Sequence, residues 1–238
     1  MALMIEEHPL FVSGIEMAEA HNYNDWTFSQ FAPYLRGHVL EVGCGVGSFT
    51  QRIVARGGFD SLLSIDVSAA AVAHASQHIR HPALSYRQQD VRETTGKFDA
   101  IICMNVLEHI EADAATLRQM IELLNPHGTL FLLVPAHQFL YSDFDRAAGH
   151  FRRYNKRALQ ELLAGMAGVV THHSFYFNSI GALGYWFVYQ LLRKAPKSDS
   201  TSEIGAFDKY VVPVMRRVEG KHFPFGLSLI TVIAKGQA

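Results

Sequence analysis

The chain has 238 residues, enough for one α/β domain with additions and a full core. Hydrophobic residues make up 49% and charged residues 18%, which excludes a disordered chain. A formal net charge of −1 gives no sign of a phosphate-backbone binder, and no nucleic-acid partner is expected, although a local basic patch stays open.

Two cysteines, Cys44 and Cys103, have neither CxxC spacing nor paired histidines. They read as reduced packing thiols, and no metal site is expected. The start, MALMIEEHPLF, lacks a basic region followed by an apolar stretch, so no signal peptide is expected. No segment reaches the roughly 18 apolar residues of a membrane span. A soluble, cytoplasmic protein is the expectation.

The elements alternate. HVLEVGC reads as a strand, SFTQRIVARGG as a helix closed by Gly57 and Gly58, and SLLSIDV as a second strand. Ser68 then caps an alanine-rich helix through Arg80. LSYRQQDV is a third strand near an edge, and FDAIICMNV a fourth, buried on both faces. EADAATLRQMIELL is a helix stopped by Asn125-Pro126 and Gly128, and TLFLLVPA is the fifth strand. This alternation predicts a parallel sheet with helices on both faces. HQFLYSDFDRAAGHFRRY follows as a long loop, then a helix from Asn155 through Met166 and a strand, VVTHHSFYF. The aromatic helical stretch, the polar linker KAPKSDSTSE and a helix FDKYVVPVMRRV precede the last strand, GLSLITVIAK. The expected division is a cap over 1–37, a core over 38–177 and 224–238, and a helical insertion over 178–223.

Ligands of such sheets bind at the carboxyl ends of the strands. There VLEVGCGVGSF places Gly43, Gly45 and Gly47 where bare backbone can approach a ligand. Cys44 lies within the bend, and Glu41 just before it suits a cationic group. Asp66 ends the second strand about 20 residues on, where a carboxylate can accept both ribose hydroxyls. Asp90 ends the third, within reach of an adenine amino group. The dinucleotide fingerprint GxGxxG would require glycine or alanine at Ser48, which argues against a nicotinamide cofactor.

LEVGCGVGSFT resembles the first motif of the class I methyltransferases that use S-adenosylmethionine. SIDVS, QQDV and FDAIICMNVLEHI resemble that family's second-, third- and fourth-strand motifs, in order over residues 38–136. The resemblance implies a Rossmann-like doubly wound three-layer sandwich. Its sheet would have seven strands in the order 3-2-1-4-5-7-6, the last antiparallel. It implies S-adenosylmethionine as cofactor and S-adenosylhomocysteine as product. Glu41, Gly43 and Gly45 would lie near the methionine moiety, with Cys44 and Gly47 in the same bend. Asp66 with Val67 would meet the ribose side, and Asp90 with Val91 the adenine. Met104 and Asn105 end the fourth strand beside them. HNYNDWTF resembles the segment covering the cofactor, which would bring Tyr23, Asn24 and Trp26 to it; a helix starting at Asn24 with Trp26 in the core is the other reading.

Methyl transfer is an in-line displacement, and an acceptor that carries a proton needs a base. Base candidates among the 13 histidines are His109, His137 and His150. In GHFRRY, Arg152 and Arg153 with Tyr154 can clamp a carboxylate or phosphate. GHFRRY and PFGLSLITVIAK resemble a bacterial subgroup of methyltransferases that often sit beside glycosyltransferases or other biosynthetic enzymes, a resemblance that favours a sugar-linked or secondary-metabolite acceptor without identifying one. Tyr141, Tyr185 and Trp186 complete the expected acceptor contacts. The aromatic stretch holding Phe175, Tyr176, Phe177, Tyr185, Trp186, Phe187 and Tyr189 can line a pocket, rest on a membrane, form a dimer contact or fill the core. The expected protein is a monomer or homodimer that methylates a small molecule, with oxygen the first choice of atom. A non-catalytic cofactor binder, an NAD(P)-dependent oxidoreductase and a nucleic-acid methyltransferase are the rivals.

Overall fold

The computed structural model describes residues 18–187, 205–219 and 223–237. The stretch MALMIEEHPLF, the linker KAPKSDSTSE and Tyr189 lie outside the described residues.

The strands are β1 (His38–Val42), β2 (Ser61–Asp66), β3 (Leu84–Gln88), β4 (Phe98–Met104), β5 (Leu124–Pro135), β6 (Val169–Phe177) and β7 (Ser228–Lys235). They form one sheet in the order β3-β2-β1-β4-β5-β7-β6. β7 runs antiparallel to both its neighbours, and the other pairings are parallel. The predicted topology is thus the observed one.

Each central strand sends alternate side chains to two cores. Leu40, Ile101 and Leu132 pack with Leu117 and Met120 of α4 (Asp113–Leu123) and Leu159 of α6 (Lys156–Leu163). Val39, Ile102 and Phe131 face the other way, onto Trp26 and Phe31 of α1 (His21–Phe31) and Ile53 of α2 (Ser48–Arg56). Met215 of α8 (Val212–Val218), which follows α7 (Ser179–Tyr185) in chain order, completes that face. Helices on both sides of a mostly parallel sheet make the three layers.

The caps behave as predicted. Ser68 accepts a hydrogen bond from Ala71 N at the start of α3 (Ala69–His78), and Asn155 from Ala158 N at the start of α6. Several boundaries differ. α1 starts at His21, so Asn24 lies inside the helix and not at its start. α3 ends at His78 and α6 at Leu163, both short of the predicted ends. β5 begins at Leu124, because Leu124 pairs with Phe98 before a register shift lets Thr129 pair with Ala100. FDKYVVPVMRRV divides into a π-turn, Phe207–Val211, and α8. Pro213 falls in the first turn of α8, where its missing N–H leaves no bond unmade.

Two non-glycine residues with positive φ follow the ends of central strands: Asn105 (φ 51°) after β4 and His137 (φ 62°) after β5. Both stand at the carboxyl edge, with the glycine bend of β1. Among the described residues no helix is long and apolar enough to cross a membrane.

Candidate active site

The bend between β1 and α2 is fixed by its neighbours. The N–H groups of Gly43 and Cys44 both donate to Ile65 O, at 2.8 and 3.0 Å. Asp66 ties the bend to β2: its Oδ2 accepts from Gly45 N at 2.9 Å and its Oδ1 from Ser68 N at 2.8 Å. Each oxygen keeps a lone pair for another donor. Gly43 has φ +77°, and a Cβ there would stand 2.3 Å from Val106 Cγ2. Gly45 has φ +52°, and nothing lies within 4 Å of where its Cβ would be. Bare backbone therefore bounds open space beside the Asp66 carboxylate. Val67, next along, is 67% exposed, an apolar surface in position for a flat ring. These features fit an adenosyl ligand, with the ribose at Asp66.

Asp90 is placed differently from the reading of it as a free adenine acceptor. Both of its oxygens hold the Arg92 guanidinium, at 2.6 and 3.0 Å, and one also caps Arg92 N. Those bonds keep its carboxyl below the usual range. Val91 beside it is buried. Met104 is half-buried, and Asn105 is exposed with its N–H on Leu133 O.

Glu41 is buried on the α2 face of the sheet. Its Oε2 accepts from Thr50 Oγ1 at 2.6 Å and Ser64 Oγ at 2.7 Å. Burial raises its pKa to about 7, against the pull of those two hydroxyls. Burial likewise pushes both cysteine thiols up, so Cys44 and Cys103 stay protonated packing groups. On α1, Trp26 packs against Phe177 at a tilt of 44° with ring centroids 4.1 Å apart, Tyr23 packs on the same ring, and Asn24 is buried. The helix thereby locks onto the end of β6. A cavity of about 600 Å³ lies behind the bend, lined by Gly47, Arg52, His78 and residues of α1; Asp66, Asp90 and Asn105 do not line it.

On the acceptor side, His137 stands two residues past the last residue of β5, Pro135. Its ring stacks between Tyr176 and Phe225, with centroids 4.5 and 4.6 Å away. Its Nε2 is buried and has no hydrogen-bond partner among the described residues. Burial, and then the charge of Arg153, lower its pKa and keep the imidazole neutral. His109 and His150 meet edge to face at 4.6 Å. Burial, followed by the proximity of His150, takes His109 down to about 4.

Both arginines are engaged with acids of the fold. Arg153 Nε holds Asp145 Oδ1 at 2.8 Å, and both side chains are almost wholly buried. Arg152 pairs with Asp113 at 2.6 Å and donates twice to Glu111 O. The expected clamp on an anionic acceptor is replaced by internal pairing, because a charge in this loop must be matched inside the fold. Tyr154 is likewise internal: it is 2% exposed and its hydroxyl donates to Asp113 Oδ2. Tyr185 donates to Asp145 Oδ2 at 2.8 Å, and Tyr141 donates to His150 O at 2.6 Å. Trp186 and Phe187 are exposed, whereas Phe175 and Phe177 are in the core, so the aromatic stretch divides.

Asp145, in α5 (Asp143–Ala147), was not singled out in the sequence, yet it organises this side. Burial raises its pKa, but His150, Arg153 and Tyr185 outweigh that and hold it far below the carboxylate range. The signal was the arginine pair itself: a buried arginine requires a buried acid. Glu108 is the second residue missed, buried with both oxygens unpartnered among the described residues.

The family model described as a methyltransferase domain matches residues 20–173, well over half the chain. A ubiquinone biosynthesis O-methyltransferase of Pseudomonas paraeruginosa is 36% identical over 100 residues, 40% of this chain and 42% of that protein. One of Xanthomonas campestris pv. campestris is 37% identical over 100 residues, 40% and 41% of the two chains. The match thus spans less than half the length of these relatives. The fold is similar to phosphoethanolamine N-methyltransferase 2 of Haemonchus contortus in complex with S-adenosylmethionine. There the TM-score is 0.65 at 15% identity, over 91% of this chain and 53% of that one. It is also similar to the N-methyltransferase NodS of Bradyrhizobium japonicum bound to S-adenosylhomocysteine, with a TM-score of 0.54 at 15% identity over 98% and 91%. Ordered motifs, strand order and the family match agree: the chain belongs to the methyltransferase-domain family.

Proposed function

We propose that the enzyme methylates a hydroxyl oxygen of a small molecule, with His137 receiving the hydroxyl proton. The observation that carries this reading is the buried Nε2 of His137, just past the end of β5, which has no hydrogen-bond partner among the described residues. A hydroxyl is a weak nucleophile until its proton is taken, and a neutral imidazole beside it can do so. The rings of Tyr176 and Phe225 hold the imidazole in one plane. The names of the curated relatives support oxygen as the acceptor atom, over the part of the chain that they match.

Bound S-adenosylmethionine supplies the electrophilic methyl group. The glycine bend, Asp66 and Val67 hold and orient the nucleoside, and Asn105 and His137 stand at the same carboxyl edge of the sheet, past β4 and β5. The internal pairing of Arg152 and Arg153 removes the reason to favour an anionic acceptor. The test is His137→Gln against a panel of hydroxylated acceptors. The turnover rate should fall by about 10²–10⁴, with S-adenosylhomocysteine affinity unchanged. Unchanged turnover would refute the role of His137.

A further inference from the structure

Glu108, His109 and His150 each offer one ligand atom, and these atoms all lie within 4.8 Å of one another. The fold brings them together from two segments. Glu108 and His109 lie in the tight turn Leu107–His109 after β4. His150 is delivered by a loop whose Phe151 N donates to Glu108 O at 2.8 Å. Gly149, at φ +76°, turns that loop, and a Cβ there would stand 4.0 Å from His109 Nδ1.

The independent observation is Glu108 itself. It is 1% exposed, and neither carboxylate oxygen has a hydrogen-bond partner among the described residues. A buried carboxylate in that condition is costly unless something positive meets it. A second layer is also in place. Asp145 Oδ1 lies 2.8 Å from His150 Nδ1, and Asp145 is itself held by Arg153 and Tyr185. A carboxylate on one imidazole nitrogen fixes the ring and leaves the other nitrogen to coordinate.

We propose that Glu108, His109 and His150 bind one divalent transition-metal ion of the zinc class, with Asp145 orienting His150. Two imidazoles and one carboxylate suit such an ion better than magnesium or calcium, and three protein ligands leave a coordination position open. A tetrahedral ion with bonds of about 2.0–2.1 Å holds its ligands about 3.4 Å apart, so the ion draws the three atoms closer together. The site stands at the carboxyl edge of β4, and the proposal does not depend on which atom the enzyme methylates.

The experiment titrates the full chain, stripped with a chelator, with Zn²⁺ in a calorimeter in the absence of cofactor and acceptor. One ion per chain should bind with micromolar or tighter affinity. Glu108→Gln and His150→Gln should each weaken it at least tenfold, and Asp145→Asn by about 10–100-fold. Absence of binding would overturn the proposal. So would binding that survives in His150→Gln and is lost in His74→Ala/His78→Ala, the stacked pair on α3. Should the site variants fail to fold, X-ray absorption of the zinc-loaded wild type decides. Scattering from two imidazoles supports the site, and one or none overturns it.

Discussion

Replacing Asp145 by Asn should destabilise the enzyme severely. Asp145 accepts from Arg153 Nε, His150 Nδ1, Tyr185 OH and Ser142 N, all at 2.8–2.9 Å. Its side chain is 0% exposed and that of Arg153 is 3% exposed. Asparagine keeps the shape but removes the charge, and the buried Arg153 guanidinium loses its paired carboxylate and is left against neutral groups such as Ala136 O and the ring of Tyr185. Breaking one side of a buried pair typically costs about 3–5 kcal/mol. At about 2–4 °C per kcal/mol for a domain of this size, the midpoint should fall by roughly 6–20 °C. Urea unfolding at pH 7 without ligands measures the loss directly. Adding Arg153→Met should recover part of it, because the stranded charge goes with the arginine. A loss under about 1 kcal/mol would refute the buried pair as the organiser of this loop.

Glu41 gives a pH prediction. Its folded pKa is raised to about 7, so the fold keeps a proton that the unfolded chain releases near 4.5. Stability should therefore fall as pH rises between those values, by roughly 3 kcal/mol at about 1.4 kcal/mol per pKa unit. Urea titrations of Glu41→Gln at pH 5 and pH 7 should show that slope removed, and an unchanged slope would contradict the assignment. Gly45→Ala should fold, losing about 1–2 kcal/mol for its left-handed backbone, because open space receives the Cβ. Its main defect should be at least tenfold weaker S-adenosylhomocysteine binding by calorimetry, and wild-type affinity would contradict this. Gly43→Ala drives a Cβ into Val106 and should lose more stability than Gly45→Ala in the same urea assay.

Strand order and the carboxyl-edge constellation were legible because they rest on local patterns. Apolar runs, the caps at Ser68 and Asn155, and glycines and acids at strand ends all lie within a few residues of what they determine. Register within β5 was not legible, since it depends on Leu124 finding Phe98 across the sheet. The acceptor side was misread for a related reason. Arg152 and Arg153 look like free donors until Asp113 and Asp145, 39 and 8 residues upstream, are brought beneath them. Glu108 read as part of a motif, and only the burial of both its oxygens sets it apart. Asp99, unlike Asp66, stands at the start of its strand and accepts from His38 N and Asn125 Nδ2 at the opposite edge of the sheet.

That last contrast supplies the decisive measurement: calorimetric titration of S-adenosylhomocysteine into the wild type, Asp66→Ala and Asp99→Ala, with NAD and NADP run in parallel. The wild type should bind S-adenosylhomocysteine alone, one per chain. Asp66→Ala should lose roughly 10–100-fold in affinity, the worth of charged hydrogen bonds at about 1.5–3 kcal/mol. Asp99→Ala should bind normally. Equal, small losses in the two variants, or binding of a nicotinamide dinucleotide, would contradict the placement of the cofactor at the β1–β2 edge.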